Sequence, residues 1–365
     1  MRIICDGVTL GEAVTKVSKA CAVRTTAPIL ECIKIEAQND EVVFLASDGE
    51  ISIRKTIKEE VMEEGEACVP GKLFNDFIGK LSGEEVCLST GDRGMEIRYG
   101  DSVSFLQVNP ASEFPKINFE IGENSFVMKQ GDLKKIIAET TFCCAADDSR
   151  PVLKGCLLEF KDKLEITALD GYRLALSTAA IAAKTGELSI ICPARTLQEI
   201  SRMLSSDEEE ITLYTQGGML MVKFDTLVIV SRLYQGEFIR KESVLPAEFL
   251  TTVTLSREEL ILSAERAAIL IRGDKNNLVT LDIRSGAVNI SSASEYGNVS
   301  ESVSAEIEGK ELVVSMNAKY LLDALRALHE ETVVMSFNGA YSPFILQDGQ
   351  EKDSLYLILP VRNAA

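Results

Sequence analysis

The residues of this chain that could carry out acid–base chemistry lie in one short string, Asp170-Gly171-Tyr172-Arg173. It places a carboxylate beside a phenol and a guanidinium, and the first two of these groups can transfer protons. Asp48-Gly49 stands at the corresponding place in an earlier stretch of similar pattern, which indicates a structural turn more strongly than a reaction centre. The sequence has no Walker loop and no GxSxG string. We therefore expect a non-catalytic protein, with an enzyme built on Asp170, Tyr172 and Arg173 as the alternative.

Cysteine and histidine offer little further chemistry. The chain has nine cysteines without CxxC spacing and one histidine, His329, so we expect neither a metal site nor a cofactor. Most of the cysteines stand in apolar surroundings, which is typical of reduced, buried thiols in a reducing compartment. The adjacent pair Cys143-Cys144 could be redox-active, but neither residue has a neighbouring cation in the sequence, and we favour a structural role.

Composition is that of a globular protein of the cytoplasm. The 365 residues are 46% hydrophobic, and no apolar run reaches the roughly 18 residues that span a bilayer. An acid follows the start of the chain too early for a secretory signal, so we expect a cytoplasmic location and no membrane association. The net charge of −18 is unusual for a protein that binds nucleic acid. Screening over about 8 Å nevertheless means that acidic loops need not cancel a separate basic face.

Helical patterns recur three times along the chain. Amphipathic segments, 123 and 127 residues apart, begin at Leu10, Leu133 and Leu260. A second landmark, an apolar residue followed by a turn-former, recurs 123 and 124 residues apart at Val69-Pro70, Cys192-Pro193 and Met316-Asn317. Two landmarks with nearly the same spacing predict three repeats, each of ordinary domain size. The predicted domains cover residues 1–122, 123–246 and 247–365.

Each repeat predicts the same mixture of elements. In the first, apolar residues at helical spacing cover 10–21, a strand-like run at 41–46 ends in the Asp-Gly turn, and a second helix covers 73–81. The third repeat has Asn317 as a helix cap, and Glu295-Tyr296 stands where the Asp-Gly turn is lost. Two helices and several short strands per repeat predict α+β units in which helices cover one face of an antiparallel sheet.

Six short strings carry a family resemblance, and they occur in order over the whole chain. They are Ala27 to Leu30, Thr167 to Ala175, Ser231 to Phe238, Arg266 to Leu270, Asn317 to Leu322 and Leu359 to Arg362. Together they resemble the bacterial DNA polymerase III beta subunit, the DNA sliding clamp. The string from Thr167 to Ala175, which contains Asp170-Gly171, is similar to a signature of that family.

The resemblance implies three tandem clamp domains in a ring-forming, head-to-tail homodimer. Six similar domains would surround a hole for double-stranded DNA, with helices lining the hole and sheets outside. The family's pattern puts Ile269 and Leu270 at the subunit contact, where edge strands of the first and third domains would pair and satisfy each other's backbone groups. A closed ring retains DNA by topology, so it needs only weak phosphate contacts and can slide.

Basic residues on or beside the predicted helices are the candidates for contacts with DNA. They are Arg24, Lys72, Lys80, Arg195 and Arg202. All of them except Lys80 match positions that are basic and face the hole in the family. The plainer interpretation of each is a solvated helix face.

The resemblance also implies a hydrophobic cleft between the second and third domains. In the family this cleft receives short peptides from the DNA polymerase III alpha subunit, the clamp loader and other proteins with a clamp-binding motif. The matching residues are Leu153, Leu169, Gly171, Tyr172, Arg173, Leu174, Val244, Leu357, Leu359, Pro360, Val361 and Arg362. Apolar side chains would anchor the peptide, and Arg173 and Arg362 would donate hydrogen bonds to it. A plain buried strand over 355–361 is the alternative.

Three residues near this cleft depart from the family's pattern. Tyr172 stands where histidine is frequent, Ile239 where proline is usual, and Ser243 where a basic residue is common. They leave the peptide preference open. A clamp-like paralogue with another set of partners is therefore the alternative to the main replicative clamp.

Overall fold

The computed structural model describes residues 1–362 except 82, 84, 148, 272, 274–276 and 351. Over these residues one element order occurs three times: a strand, a helix, four or five strands, a second helix and three strands. This confirms the predicted threefold α+β repeat, while the domain boundaries stay a prediction. The α-helices of the described residues are α1 (Gly7–Ser18), α2 (Gly71–Ile78), α3 (Gln130–Thr140), α4 (Ala194–Met203), α5 (Arg257–Leu270) and α6 (Ala318–Ala327).

The strands are short and all their pairings are antiparallel. The first repeat has β1 (Arg2–Asp6), β2 (Cys32–Gln38), β3 (Glu41–Ser47), β4 (Ile51–Lys58), β5 (Glu60–Glu63), β6 (Gly65–Pro70), β7 (Glu85–Gly91), β8 (Gly94–Tyr99) and β9 (Ser102–Leu106). The second has β10 (Asn124–Lys129), β11 (Gly155–Phe160), β12 (Lys163–Leu169), β13 (Arg173–Ala180), β14 (Ala183–Lys184), β15 (Leu188–Pro193), β16 (Glu210–Gln216), β17 (Met219–Phe224) and β18 (Leu227–Arg232). The third has β19 (Thr251–Ser256), β20 (Leu278–Arg284), β21 (Ala287–Ser294), β22 (Gly297–Gly309), β23 (Leu312–Asn317), β24 (Thr332–Phe337), β25 (Phe344–Asp348) and β26 (Ser354–Ile358).

Side-chain caps determine where several helices begin. Asp6 precedes α1, and its carboxylate accepts a hydrogen bond from the backbone N–H of Thr9 at 2.8 Å. Ser256 caps α5 in the same way. The predicted cap at Asn317 is confirmed, because its side-chain oxygen accepts from the N–H of Lys319 at 2.9 Å.

The apolar face of each first helix is buried against its sheets. In α1 the buried side chains are those of Leu10, Ala13, Val14 and Val17, and the helix packs on β3 and β4. The spacing of these residues matches the helical period, so one face faces the core and the other carries polar groups. Full burial of each larger side chain contributes about 1.5–3 kcal/mol, which makes this face the main source of helix stability.

The described residues form two compact units. The first comprises residues 1–130, 182–186 and 202–233. Its smaller sheet has the strand order β5-β1-β7-β8-β9, and its larger sheet the order β14-β10-β16-β17-β18-β4-β3-β2-β6. The larger sheet continues from one repeat into the next because β18 pairs with β4, with Ser231 opposite Ile51 and Leu227 opposite Lys55.

The second unit contains one large sheet. The unit comprises residues 131–181, 187–201 and 234–365. The strand order is β15-β11-β12-β13-β26-β25-β24-β19-β22-β21-β20-β23. Here the second repeat joins the third, because β13 pairs with β26, with Arg173 opposite Ile358 and Ser177 opposite Ser354. Ile51 and Arg173 each follow the turn aspartate by three residues, so the joints β4–β18 and β13–β26 have the same register.

The Asp-Gly strings form tight turns that enter β4 and β13. Oδ1 of Asp48 and Oδ1 of Asp170 each accept two backbone N–H groups from the residues that follow. Gly49 and Gly171 have φ of 91° and 92°, a region that glycine occupies without strain. The third repeat also turns at this place, and the hydroxyl of Ser294 accepts the N–H two residues on. The backbone differs, because Glu295, at the position of the glycine, does not have a positive φ. The prediction of a structural turn is therefore confirmed.

None of the helices in the described part of the chain is both long enough and apolar enough to span a bilayer.

Candidate peptide-binding cleft

Four apolar side chains form a continuous row across the sheet of the second unit. Leu169 of β12 lies opposite Leu174 of β13, and Leu174 lies opposite Leu357 of β26. Leu357 in turn lies opposite Ile345 of β25. All four are buried and pack in one cluster. Since opposite residues of neighbouring strands share a face, the row forms a floor that runs from the second repeat into the third.

Partly buried apolar residues surround this floor. Leu153, on the 3₁₀ turn Pro151–Lys154, is buried against it. The partly buried members of the cluster are Ala145, Val152, Leu176, Phe238, Ile239, Val244, Leu245 and Leu355. The structure thus brings together the predicted residues Leu153, Leu169, Leu174, Val244 and Leu357. An apolar floor with half-exposed walls can accept the side chains of a short peptide.

The last described residues run beside the cleft outside the sheet. β26 ends at Ile358, and the N–H of Leu359 donates to the carbonyl of Tyr172 at 2.9 Å. The N–H of Val361 donates to the carbonyl of Ser315 at 2.7 Å. These backbone bonds fix the segment, while the side chains of Leu359 and Val361 stay half-buried. The alternative of one strand over 355–361 is therefore right as far as Ile358 and wrong beyond it.

Aromatic and basic groups lie at the two ends of this segment. Tyr172, on the turn with Gly171, is 63% exposed. Arg362 is exposed, and its guanidinium carbon lies 5.8 Å from the ring centroid of Tyr341. Pro360, between the two hydrogen-bonded residues, is half-buried. Exposed aromatic and arginine side chains are the types that contribute most where peptides and proteins meet.

Arg173 occupies a different position from the one predicted. It is only 8% exposed, and its Nη1 donates to Asp323 at 2.7 Å. Its Nε donates to Asp170 at 3.0 Å, and its Nη2 to the carbonyl of Phe142 at 2.7 Å. The guanidinium carbon also lies 4.4 Å from the ring centroid of Tyr320. These contacts make Arg173 a positioning residue under the cleft, and we drop its predicted role as a peptide donor.

The buried carboxylate of Glu139 binds both strands of the β13–β26 joint. Oε2 of Glu139, in α3, accepts hydrogen bonds from the hydroxyls of Ser177 at 2.5 Å and Ser354 at 2.9 Å. Its Oε1 lies 2.6 Å from Nε2 of His329. Ser177 and Ser354 are the opposed pair of β13 and β26. Because removing one partner of a buried charged group is costly, this cluster ties the second repeat to the third.

The five candidate DNA contacts are all exposed. Lys72 and Arg195 are the second residues of α2 and α4, and Arg202 lies in the last turn of α4. Lys80 lies just beyond α2 and Arg24 in the chain that follows α1, so neither is a helix residue. The third repeat has Lys319 at the second residue of α6, also exposed. One cation therefore occupies the same helix position in all three repeats.

The predicted subunit contact lies at the end of α5. Ile269 is 69% exposed, whereas Leu270 is half-buried. Leu262, at 45%, is the other exposed large apolar residue of α5. An exposed isoleucine at the end of a helix is the kind of position that a partner surface covers.

Comparison with known proteins gives one consistent family. Models for the N-terminal, central and C-terminal domains of the DNA polymerase III beta subunit match residues 1–118, 127–239 and 242–362. The chain is 32% identical over 356 residues to a beta sliding clamp of Staphylococcus epidermidis, covering 94% of both chains. It is 33% identical to one of Staphylococcus aureus over the same length and coverage. A crystal structure of the DNA polymerase sliding clamp from Bacillus subtilis has a TM-score of 0.95 at 31% identity, covering 100% of this chain and 99% of that chain.

Sequence reasoning missed several members of the cleft. Ile345 follows Phe344 and precedes Leu346 in β25, and all three are buried. Without polar alternation the sequence gives no sign of which one faces the cleft. Phe238 ends a string that we matched to the family, and that match was the signal that could have placed it in the cleft beside Ile239.

Proposed function

Because the chain belongs to the family of DNA polymerase III beta subunits, the sliding clamps, we propose that two copies of it close head to tail around duplex DNA in the cytoplasm. The protein is the non-catalytic processivity subunit of the polymerase. The group that an enzyme would need, Asp170, is occupied by the turn N–H groups and by Arg173. Retention by topology with weak phosphate contacts lets the polymerase stay bound while it moves.

Two unpaired strand edges carry the proposal of a ring. Within the chain, the last strand of one repeat pairs with the strand after the turn of the repeat before it, as in β18–β4 and β26–β13. The corresponding last strand of the first repeat is β9, and the corresponding strand of the third is β22. In the described part of the chain, β9 pairs with β8 alone, so its other edge is open. The part of β22 before Ala305 likewise pairs with β21 alone. Exposed edges of this kind pair with another chain.

Equivalent positions specify the register of this pairing. Gly297 follows the turn residue Ser294 by three, as Ile51 follows Asp48. Ser231, the partner of Ile51, lies opposite Leu220 in the hairpin of β17 and β18. Leu106 has the equivalent place in the hairpin of β8 and β9, where it lies opposite Met95. Gly297 therefore pairs with the partner subunit's Leu106, and Glu301 with the partner subunit's Ser102. The subunit joint then repeats the register of the two joints inside the chain.

The helices support the same joint. Phe142, just after α3, stacks on Tyr356 of β26 with ring centroids 5.9 Å apart. Ile269 holds the position of Phe142 in the third repeat, and Ser104 holds that of Tyr356 in the first. Phe105, beside Ser104, is 50% exposed. Ile269 thus meets the partner subunit's β9 on the face of Ser104, and Phe105 stands on the opposite face of the same joint. The joint then covers one exposed apolar side chain on each face.

Disruption of this contact tests the ring. Ile269→Glu and Phe105→Glu should each give a monomer by analytical ultracentrifugation, since a charge is placed in an apolar interface. Both variants should also fail to be retained on nicked circular DNA after treatment with a clamp loader. Val23→Glu is the control, because Val23 is also apolar and is even more exposed, at 89%, but lies outside both edges. A wild-type chain that stays monomeric and is never retained on circular DNA contradicts the proposal.

The recurring helix cation supports binding of DNA. A positive side chain in the first turn opposes the helix dipole and costs about 0.3–1 kcal/mol. Lys72, Arg195 and Lys319 all stand there, so the helix dipole does not explain them. Backbone N–H groups and a cation at a helix N-terminus together bind phosphate. We assign these three residues, with Arg24, Lys80 and Arg202, to weak, sequence-independent contacts with the DNA backbone.

The apolar cleft is the site for partner peptides. Its support is the buried row from Leu169 to Ile345, flanked by the half-buried side chains of Leu359 and Val361. The chemistry suits a short peptide with aliphatic or aromatic anchors, such as a segment of the DNA polymerase III alpha subunit or of the clamp loader. Tyr172 and Arg362, both exposed, are placed to contact the peptide's ends.

A further inference from the structure

Two thiols lie in contact beside the cleft. Sγ of Cys144 is 3.4 Å from Sγ of Cys156. Cys144 follows the 3₁₀ turn Thr141–Cys143 and is partly exposed, whereas Cys156 is the second residue of β11 and is buried. A disulfide has an S–S bond of about 2.05 Å, so a movement of little more than 1 Å would join the two sulfurs.

We propose that Cys144 and Cys156 form a reversible disulfide that alters the peptide cleft. The chemical part of this proposal concerns the two thiols alone. The regulatory part rests on the proposed function, because it takes the cleft to be the peptide site.

The oxidant is a small-molecule disulfide such as oxidised glutathione. The thiolate of Cys144 attacks one sulfur of that disulfide, its S–S bond breaks, and one small thiol leaves. The thiol of Cys156 then attacks the Cys144 sulfur of the mixed disulfide and gives up its proton to the second small thiol as that thiol leaves. Two protein thiols are oxidised, one small disulfide is reduced to two thiols, and the two protons from the cysteines end on the released thiols.

Exposure determines the order of these steps. The attacking group must meet the oxidant, and of the two sulfurs only Cys144 is partly exposed. The hydrogen bond with Cys144, burial and the neighbouring thiols hold the pKa of Cys156 well above its usual range. Cys156 therefore stays protonated and unreactive toward solvent, and acts only as the second, resolving thiol.

Two other cysteines compete for the same sulfurs. Cys143 is adjacent to Cys144, but it is buried, and burial raises its pKa well above the usual range. Cys192 of β15 lies opposite Cys156 of β11 in the sheet, and it too is buried. Neither can be the first to meet a dissolved oxidant. Cys144 and Cys156 are thus the pair in which a partly exposed thiol touches a buried one.

The disulfide would act on a wall of the cleft. The residue after Cys144, Ala145, donates its N–H to the carbonyl of Leu153 at 2.8 Å. Ala145 and Leu153 both belong to the cleft cluster, and Leu153 is three residues before Cys156. Closing the gap between the sulfurs moves this wall against a packed floor that does not yield easily. We expect partner peptide to bind on the order of tenfold more weakly, the effect of a methylene-sized misfit in an apolar pocket.

The chemical part is tested on the full chain in glutathione buffers of increasing oxidised fraction. Free thiols are blocked with an alkylating reagent, and the digested protein is analysed by mass spectrometry. We expect the peptides that carry Cys144 and Cys156 to become linked, with loss of two hydrogen atoms, and to separate again with dithiothreitol. Cys143→Ser should keep this link and Cys144→Ser should lose it. A link of Cys156 to Cys192, a Cys143–Cys144 link or glutathione adducts alone would overturn the proposal.

The regulatory part is tested by peptide affinity. A fluorescent clamp-binding peptide is titrated into the wild-type chain and Cys144→Ser, each reduced and oxidised. Oxidation should weaken binding to the wild type about tenfold and leave Cys144→Ser unchanged. Equal affinity of the linked and reduced wild type overturns the regulatory part. Failure of the reduced wild type to bind the peptide contradicts the proposed function instead, and leaves the chemical result standing.

Discussion

Nη1 of Arg173 lies 2.7 Å from Oδ2 of Asp323, across the joint where β13 of the second repeat meets β26 of the third. Arg173 is nearly buried and Asp323 mostly so. The pair lies beneath the floor of the cleft and connects the turn that carries Tyr172 to helix α6. Loss of this pair should therefore affect both the joint and the cleft above it.

Arg173→Ala should destabilise the protein by about 3 kcal/mol, because it leaves Asp323 and the carbonyl of Phe142 without their buried partner. The expected result is a fall of several degrees in the melting temperature of the transition that involves the second unit. Differential scanning calorimetry measures it. Arg362→Ala, which removes an exposed arginine near the same cleft, should leave that transition unchanged. Equal melting temperatures of the two variants would show that the buried contacts of Arg173 contribute nothing to stability.

Leu359→Ala together with Val361→Ala should abolish binding of a partner peptide while the dimer stays intact. Their side chains are half-buried and their backbone is held by hydrogen bonds that alanine retains. The measurement is a peptide titration beside sedimentation analysis of the same sample. Leu357→Ala is the contrasting variant. Because Leu357 is buried, this substitution should also lower the free energy of unfolding by about 2–5 kcal/mol. Loss of the dimer in the double variant would make the two residues structural.

The triple change Lys72→Ala, Arg195→Ala and Lys319→Ala should weaken binding to a short duplex and reduce its salt dependence. The slope of log K against log salt should fall by roughly one unit for each phosphate that is no longer neutralised. Fluorescence anisotropy at several salt concentrations measures this slope. Lys58→Ala is a matched control, because Lys58 is exposed at the end of a strand. An unchanged slope would show that these cations do not contact phosphates and only solvate the helix surface.

The protein should lose stability above pH 9 through its buried thiols. Burial raises the pKa of Cys5, Cys21 and Cys68 to about 12. In the unfolded chain each thiol ionises near its ordinary pKa, so between about pH 9 and pH 12 the folded state holds protons that the unfolded state has released. Each such thiol then removes up to about 1.4 kcal/mol per pH unit. Below about pH 9 the thiols are protonated in both states, so this loss is absent.

Melting temperatures at pH 8 and pH 10.5 check this sign. Cys68→Ala should lose less stability than the wild type over this interval, whatever its stability at pH 8. A steeper loss in Cys68→Ala than in the wild type would contradict the assignment.

The repeat and its helices could be predicted because they depend on local patterns. The spacing of Leu10, Leu133 and Leu260 reports amphipathic helices directly, and Asn317 has the chemistry of a cap. Six short strings, among them Thr167 to Ala175, together indicated the family without a structure. The turn at Asp170 could be predicted as structural because Asp48 repeats it.

The contacts between repeats could not be read from the sequence. Glu139 has the pattern of a solvated helix residue, and its burial depends on Ser354 and His329, about 200 residues away. Arg173 has the chemistry of a peptide donor until Asp323 approaches it from the third repeat. Such long-range pairing leaves no periodic trace, so only the folded chain reveals it.

The cation at the second residue of α2, α4 and α6 has a consequence for protein engineering. Each of these side chains opposes its own helix dipole, so replacing Lys72 or Lys319 with glutamate should make the isolated protein slightly more resistant to heat. Since we propose that these cations contact DNA, a selection for thermostability carried out without nucleic acid should enrich variants that bind DNA more weakly. Useful variants would have to be screened with DNA present, because the residues at these three helix starts do not maximise thermal stability.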